Sequence, residues 1–357
     1  MGSVKNLEVL RKPTKDRMGI GRFRFSDRYS VFDWGEMPDL ISRKGEALCI
    51  MGAYCFERLE EEDVRTHYRG LIDNDGKTVR LDDLKQPSNT MEIGLVNVYR
   101  PKAVTDDGRL RYDYAVYTPE LSNCLIPLEI IYRNGLPEGS SVFRRLEKGL
   151  TTFKQLGLDH YPRPGERLQK PIFDVSTKLE EKDRYVTWTE AMEIAGLTYR
   201  ELSEIKNVLS SVNAAITQIA SRAGLENEDG KIELAFDDER KLMVVDVIGT
   251  LDECRFTYDG LHVSKEIARQ FYRKTIWFND IEEAKKKAEA EGVQDWRKLC
   301  RSTPPKLDPK LRTIITEMYM AASNELTQKK MFNAPSLSEV IRKYREYAQR
   351  CRLASFG

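Results

Sequence analysis

The clearest alternation of hydrophobic and polar residues lies at residues 231–236 and 241–248. Because the side chains of a β-strand point alternately to its two faces, this pattern predicts two strands, each with one apolar face. The charged run at residues 237–240 is predicted to be the turn that joins them into a hairpin. With a four-residue turn, Phe236 pairs with Lys241.

This predicted pairing divides the side chains of the hairpin between two faces. Lys231, Glu233 and Asp246 fall on one face. The other face carries Ile232, Leu234, Phe236, Met243 and Val245 and is an ordinary core face. Two carboxylates and an ammonium group could bind a divalent cation and a phosphate group, since hard cations take oxygen ligands and lysine pairs with phosphate. A solvated face with an ordinary surface salt bridge explains the same pattern, and the hairpin alone does not decide between the two.

The N-terminal part of the chain is predicted to be rich in β-structure, with one helix at residues 46–61. The turn sequences at residues 74–76 and 106–108 each end in Asp-Gly and indicate hairpins, because these residues tolerate positive φ. The apolar strand at residues 124–132 contains Pro127, which predicts a bulge or a sheet edge.

The second half of the chain has the pattern of helices. Thr198 followed by Glu201 forms a capping box that begins the most regular predicted helix, and Gly224 ends it. We expect the apolar face of this helix to pack on the hairpin. Three amphipathic segments follow: residues 281–291, 309–329 and 336–352. They contain no cluster of catalytic residue types, so packing, oligomer contacts or a terminal subdomain are their expected roles.

Length and composition limit the domain number, the partners and the kinds of catalysis that the chain can support. The length of 357 residues suggests about two domains. With 58 Lys and Arg against 57 Asp and Glu, the overall charge favours neither a nucleic-acid nor a membrane partner. The absence of a membrane-length apolar run or signal-peptide core predicts a cytoplasmic protein whose six cysteines are reduced. Three histidines without metal-ligand spacing argue against zinc hydrolysis and Ser-His-Asp catalysis. Carboxylates, lysines, arginines and a bound cation are left to perform any reaction.

A second candidate site follows the apolar strand. Arg133 precedes a Gly-Ser-Ser turn at residues 139–141, and Arg144 and Arg145 come next. An arginine beside such a turn could hold a phosphate group through its guanidinium group, a hydroxyl group and free backbone N–H groups. An ordinary basic loop is an equally good interpretation.

Six motifs occur in a fixed order between residues 22 and 256. They are RFRFSDRYSVFD at 22–33, SRKGEAL at 42–48, IPLEIIYRN with GSS at 126–141, PIFDVSTKLEEKD at 171–183, DGKIELAF at 229–236 and VVDVIGTLDECRF at 244–256. In this order they resemble the SAICAR synthetase family (phosphoribosylaminoimidazole-succinocarboxamide synthases) over roughly residues 10–262.

The resemblance implies an α+β fold of two lobes with ATP between them. The N-terminal antiparallel β lobe would be similar to the kinase small lobe and to ATP-grasp folds, and the larger lobe would combine a sheet with helices. We therefore expect an ATP-binding lobe at residues 1–125, a lobe with the metal and substrate site at 126–262, and a helical extension at 263–357.

The reaction implied by the resemblance joins carboxyaminoimidazole ribonucleotide (CAIR) to L-aspartate in purine biosynthesis, while ATP becomes ADP and phosphate. A carboxylate is a poor acyl donor, so it would first be phosphorylated to an acyl phosphate that an amine can attack. Catalysis is then mostly positioning and charge neutralisation by Mg²⁺ and cationic side chains. The expected partners are these small molecules, without nucleic acid or membrane, and the chain could form a homo-oligomer.

The resemblance also implies roles for the charged residues of the hairpin and its surroundings. Glu233 and Asp246 would hold Mg²⁺. Lys231, Lys178 and Asp252 are the candidate catalytic residues. Lys231 would face the phosphates or the reacting carboxylate, and Asp252 would help to orient the imidazole nucleotide.

Ligand binding is implied for a wider set of residues. Lys15 would contact the phosphates of ATP, and Glu129 and the backbone around Ile126 would lie beside the adenine. The residues implied to contact the substrates or to line the cleft are Arg133, Ser140, Arg255, Asp183, Asp33 and Lys44. Arg133, Ser140 and Arg255 would hold the 5′-phosphate of the ribonucleotide.

Two departures from the family pattern leave alternatives open. Pro13 replaces a lysine in the first phosphate-binding motif, and Val247 replaces the acid that follows the metal-binding aspartate. The chain could instead join another acid to another amine, or it could be a nucleotide-binding protein that has lost turnover.

Overall fold

The N-terminal part of the chain forms a five-stranded antiparallel sheet that packs against one long helix. The computed structural model describes residues 4–106 and 109–354. The strands are β1 (Lys5–Arg11), β2 (Gly19–Phe25), β3 (Tyr68–Ile72), β4 (Thr78–Val79) and β5 (Thr90–Leu95), in the order β1-β2-β5-β3-β4. Helix α1 (Lys44–Glu61) lies between β2 and β3 in the chain and buries its apolar side against β2, β3 and β5. The predicted helix is confirmed and begins two residues earlier than expected.

Two predicted turns lie in this part. The Asn-Asp-Gly turn joins β3 to β4, and the Asp73 carboxylate accepts hydrogen bonds from the backbone N–H groups of Asp75 (3.0 Å) and Lys77 (2.8 Å). A separate hairpin consists of β6 (Lys102–Asp106) and β7 (Arg109–Asp113). The tip of its predicted turn, residues 107 and 108, lies outside the described residues.

A second antiparallel sheet follows. Its strands are β8 (Cys124–Leu136), β9 (Glu166–Thr177), β10 (Glu226–Phe236), β11 (Leu242–Val245), β12 (Cys254–Tyr258) and β13 (Leu261–His262). Their order is β13-β12-β10-β8-β9, with β11 also paired to β10. Pro127 lies in an irregularity of β8, where the partners of Glu129 and Leu125 are only two residues apart on β10. The predicted bulge is confirmed, whereas β8 is an inner strand between β9 and β10.

The described residues contain seven further helices. They are α2 (Ser141–Glu147), α3 (Trp188–Ile194), α4 (Tyr199–Arg222), α5 (Glu266–Tyr272), α6 (Ile276–Glu291), α7 (Pro309–Thr327) and α8 (Leu337–Ala354), with short 3₁₀ turns at Leu81–Asp83 and Trp296–Leu299. The capping box of Thr198 and Glu201 begins α4, and α4 packs on β10 and β11 as predicted. The three predicted C-terminal helices are present, and α7 packs on both α1 and α4. The predicted α+β fold is thus confirmed, while the predicted domain boundaries stay a prediction.

The predicted register of the β10–β11 hairpin is wrong by one residue. Phe236 pairs with Leu242, so the turn has five residues instead of four. The Asp237 carboxylate stabilises this longer turn, because it accepts hydrogen bonds from the backbone N–H groups of Glu239 (3.0 Å) and Lys241 (2.8 Å).

The shift moves two apolar residues to the other face of the sheet. Met243 pairs with Ala235, and Val245 pairs with Glu233. Met243 and Val245 therefore share the face of Glu233, where they form a small apolar cluster with Leu125 and Ala235. We call these four residues the apolar cluster. Ile232, Leu234 and Phe236 lie in the main core, as predicted.

Within the described ranges, no helix combines the length and the apolar character needed to cross a bilayer. All six cysteines lie in these ranges, and none of them forms a disulfide bond.

Candidate active site

The site forms where one edge of β10 changes its partner. Gly230 pairs with β12 and Glu233 pairs with β11 on the same edge, so residues 246–253 leave the sheet and return to it. Gly249 allows this segment to lie against α1: its φ is 67°, and a Cβ atom there would collide with Sγ of Cys55. The gap between the two pairings exposes Lys231.

Two adjoining cavities lie at this gap, with volumes of about 360 Å³ and 480 Å³. We call them the first and the second cavity. Four residues line both: Lys231, Asp252, Glu253 and Lys265.

The first cavity holds the carboxylates of Glu233 and Asp246. Lys178 donates a hydrogen bond to Glu233, and Lys5 donates one to Asp246. Burial and the nearby negative charge of Asp246 raise the pKa of Glu233 above its usual value. Burial opposes ionisation of Asp246 too, but the Lys5 ammonium group keeps the pKa of Asp246 below its usual value. The first cavity thus contains a buried carboxylate with a raised pKa and a half-buried one with a lowered pKa, each paired with its own lysine.

Lys231 lies at the junction of the cavities. Its Nζ is 2.9 Å from Oε1 of Glu129 and 3.6 Å from Oε2 of Glu253. Burial favours the neutral amine, but the carboxylates of Glu253, Glu129 and Glu233 outweigh it and raise the pKa of Lys231. Lys231 is consequently a permanent cation at neutral pH. Glu129 belongs to this ion-pair network, since its Oε1 also lies 3.4 Å from Nζ of Lys178.

Asp252 lines both cavities and is held from behind. Lys44 donates to its Oδ2 at 2.7 Å, and the Tyr319 hydroxyl donates to its Oδ1 at 2.6 Å. Burial opposes ionisation, but the charges of Lys44 and Lys265 lower the pKa of Asp252 to about 2. The prediction that Lys44 lines the cleft is wrong, because its side chain is fully buried beneath Asp252.

The second cavity contains the predicted phosphate-binding arginines. The Nη2 atom of Arg133 lies 3.1 Å from the hydroxyl oxygens of both Ser141 and Tyr185. Its Nε is buried and has no hydrogen-bond partner among the described residues. Arg255 donates to Oδ1 of Asp229 at 2.8 Å. Both arginines line the cavity wall and could hold an anion there.

Ser140 does not line either cavity. It is the N-cap residue of α2, and its Oγ accepts a hydrogen bond from the backbone N–H group of Val142 at 3.4 Å. Ser141 lines the second cavity in its place. The start of the helix decides which of the two hydroxyl groups faces the cavity.

The C-terminal part adds cations that sequence analysis missed. Lys265, Arg269, Arg273 and Lys285 all line the second cavity. Arg269 and Arg273 both pair with Glu266, whereas Lys265 forms no ion pair with any described residue. The spacing of four between the first three would have indicated one basic helix face. Asp33 lines the same cavity, 3.4 Å from Nζ of Lys285.

Besides Lys44 and Ser140, three further predicted ligand-binding residues lie outside both cavities. Lys15 is exposed in the loop between β1 and β2, and Asp183 is exposed in the loop after β9. The Ile126 side chain is buried in the main core, on the opposite side of β8 from the apolar cluster.

The first cavity offers only part of the coordination shell that a metal ion needs. No group of three or more His, Cys, Asp or Glu side chains has a metal-binding arrangement within residues 4–106 and 109–354. Glu233 and Asp246 are a pair of oxygen ligands, so a cation between them would complete its coordination with oxygen atoms of another molecule.

The model of the SAICAR synthetase family matches residues 14–291. The chain belongs to this family. It is 48% identical over 346 residues to a putative phosphoribosylaminoimidazole-succinocarboxamide synthase of Archaeoglobus fulgidus, covering 97% of this chain and 99% of that protein.

Solved structures show the same fold. The SAICAR synthase of Saccharomyces cerevisiae in complex with SAICAR has a TM-score of 0.60 at 19% identity, over 92% of this chain and 94% of that chain. A SAICAR synthetase in complex with ADP has a TM-score of 0.53 at 18% identity, over 86% of this chain and 99% of that chain. Two residues at the site, Lys5 and Tyr319, lie outside the segment that the family model matches.

Proposed function

We propose that this protein joins CAIR to L-aspartate with ATP, giving SAICAR, ADP and phosphate in purine biosynthesis. Membership of the SAICAR synthetase family supports the reaction. The single observation that carries the assignment of the site is the junction of the two cavities. There the cation of Lys231 lies between a carboxylate pair on one side and an arginine-lined cavity on the other.

The second cavity suits the ribonucleotide. Its 5′-phosphate binds Arg133, Arg255 and Ser141, which lie at the far end from the carboxylate pair. The carboxylate of the imidazole then points towards Lys231 at the junction. Lys265 supplies a second cation there, since it lines both cavities and forms no ion pair with the described residues.

The first cavity suits the phosphates of ATP. Lys178 and Lys5 lie in its wall beside Glu233 and Asp246. The adenine packs on the apolar cluster, which lies on the same face of β10 and β11 as Glu233. Leu125 of the cluster supplies the side-chain contact from β8, because neighbouring residues of a strand point to opposite faces and the Ile126 side chain lies in the main core.

Glu233 and Asp246 fit Mg²⁺, because both line the first cavity and offer only oxygen ligands. The negative charge of Asp246 also opposes ionisation of Glu233, and a bound cation would relieve this repulsion. When bound, Mg²⁺ would neutralise charge on the phosphates of ATP. The role of the two carboxylates is to hold it beside Lys178 and Lys231.

The reaction proceeds in two displacements. A carboxylate oxygen of CAIR attacks the terminal phosphorus of ATP, and ADP leaves with the electrons of the broken P–O bond. The amine of aspartate then attacks the acyl carbon, phosphate leaves, and the nitrogen loses a proton. Lys231 stays protonated, so it stabilises negative charge on the transferred group and does not act as the base.

The test is the release of ADP by purified protein. We expect ADP only when CAIR and L-aspartate are both supplied with ATP and Mg²⁺. Release that does not depend on aspartate would contradict the proposal, and turnover with another pair from a panel of acids and amines would identify a related ligase. Tight ATP binding by calorimetry without ligation would indicate a nucleotide-binding protein. A cytoplasmic location and a homo-oligomer stay predictions.

A further inference from the structure

The Asp252 carboxylate faces the cavities on one side and two buried groups on the other. Lys44 and Tyr319 are 0% and 1% exposed, and they engage different oxygen atoms of the carboxylate. Neither can touch a substrate. Asp252 is the cavity-lining residue that both of them contact, so it is the direct route by which they can influence the reaction.

We propose that Tyr319, on α7, is a positioning residue that fixes the orientation of the Asp252 carboxylate at the junction of the two cavities. The inference rests on the proposed function, because it assumes that the ribonucleotide binds at this junction.

The geometry explains why two partners are needed. The terminal torsion of an aspartate is broad and roughly two-fold, so one hydrogen bond leaves the plane of the carboxylate poorly defined. A second bond from another element removes this freedom. Both bonds join an ionised group to its partner, which makes them stronger than neutral hydrogen bonds. Lys44 also donates to the carbonyl oxygen of Arg28 at 3.3 Å, so its ammonium group is itself held in place.

Packing holds Tyr319 in register with Lys44. Helix α7 packs directly on α1, which begins at Lys44, and the Lys44 ammonium group lies 5.4 Å from the centre of the Tyr319 ring. Lys44 and Tyr319, the two partners of Asp252, thus also contact each other directly through this cation–π interaction. Since Tyr319 lies beyond residue 291, this role gives the C-terminal helices a function in the site that the motifs do not predict.

The test compares two buried tyrosines. Tyr319→Phe removes the hydroxyl group at Asp252. Tyr29→Phe is the matched control, because Tyr29 is also buried and donates to a carboxylate, that of Asp39, at 2.6 Å, yet it lines neither cavity. We expect both variants to lose thermal stability to a similar extent. Only Tyr319→Phe should raise the KM for CAIR, by about 5- to 10-fold, with the KM for ATP unchanged. Equal KM values for CAIR in the two variants would overturn the proposal.

A double-mutant cycle tests the route through Asp252. In the Asp252→Asn background, Tyr319→Phe should change the KM for CAIR by less than about 2-fold, because the group that it positions is already altered. Independent, multiplicative effects of the two substitutions would contradict a positioning role.

A crystal structure of Tyr319→Phe separates this proposal from the proposed function, since it needs no substrate. We expect the Asp252 carboxylate to be rotated away from its orientation in the unmodified protein. An unchanged orientation would overturn the positioning role even if the ligase activity is confirmed. If the unmodified protein fails to ligate CAIR and aspartate, the proposed function fails, and the rotation still decides whether Tyr319 positions Asp252.

Discussion

Glu233 and Asp246 face the same cavity although they are one residue out of phase in their hairpin. Glu233 pairs with Val245, so a regular strand would direct Asp246 to the opposite face. Asp246 instead has a φ of 65°, the left-handed conformation, immediately after the last residue of β11. This turn of the backbone brings its carboxylate into the first cavity beside Glu233.

Removing the carboxylate pair should abolish turnover. We expect Glu233→Gln with Asp246→Asn to reduce the rate of ADP release by about 100-fold or more, because the phosphates lose the cation that neutralises them. Glu92→Gln is a suitable control, since Glu92 pairs with Arg22 in the N-terminal sheet and lines neither cavity. Turnover that survives in the double variant would contradict the proposed metal site.

The two neighbouring serines should separate substrate binding from stability. Ser141→Ala should raise the KM for CAIR by about 3- to 10-fold, because a hydroxyl group in the second cavity is lost. Ser140→Ala should leave this KM unchanged and lower the free energy of unfolding by about 1 kcal/mol, because α2 loses its cap. Steady-state kinetics and urea unfolding of both variants measure these effects. If Ser140→Ala raised the KM for CAIR and Ser141→Ala did not, Ser140 would be the residue that binds the substrate.

Gly249 should be far less replaceable than a glycine of the same backbone conformation elsewhere. Gly249 and Gly292 both have φ of 67°, but only at Gly249 would a Cβ atom meet another residue, Cys55. We expect Gly249→Ala to lower the free energy of unfolding by about 3 kcal/mol and Gly292→Ala to lower it by about 1 kcal/mol. If urea unfolding gave equal losses of free energy for both variants, residues 246–253 would have room for a Cβ atom beside α1.

Stability should depend on pH through His67. Its ring is buried between Phe23 and Phe56, and its Nε2 donates to the carbonyl oxygen of Asp246 at 3.0 Å. Burial lowers the pKa of His67 from 6.5 to about 4. Between pH 4 and pH 6.5 the unfolded chain binds a proton at His67 more readily than the folded protein does. The stability contributed by the neutral, buried ring is therefore complete above pH 6.5 and is lost as the pH falls towards 4.

The measurement compares the unmodified protein with His67→Gln. The difference in free energy of unfolding between them should shrink by up to about 3 kcal/mol as the pH falls through this range, since one pKa unit corresponds to about 1.4 kcal/mol. A difference that stays constant with pH would show that His67 does not titrate on unfolding.

The sequence alone determined the elements whose signals are local. The capping box of Thr198 and Glu201, the bulge at Pro127 and the turn between β3 and β4 each depend on residues close together in the chain. The six ordered motifs were sufficient to find the family, because each preserves a short stretch of backbone and its side chains.

The tertiary structure decided which of those side chains meet. A five-residue turn shifted the hairpin register, and a left-handed residue returned Asp246 to the site. Lys5 reaches Asp246 across 241 residues, Lys44 reaches Asp252 across 208, and Tyr319 reaches Asp252 across 67. No periodic pattern encodes such contacts, because they form only when separate elements pack against one another and bring buried charges close enough to need a partner.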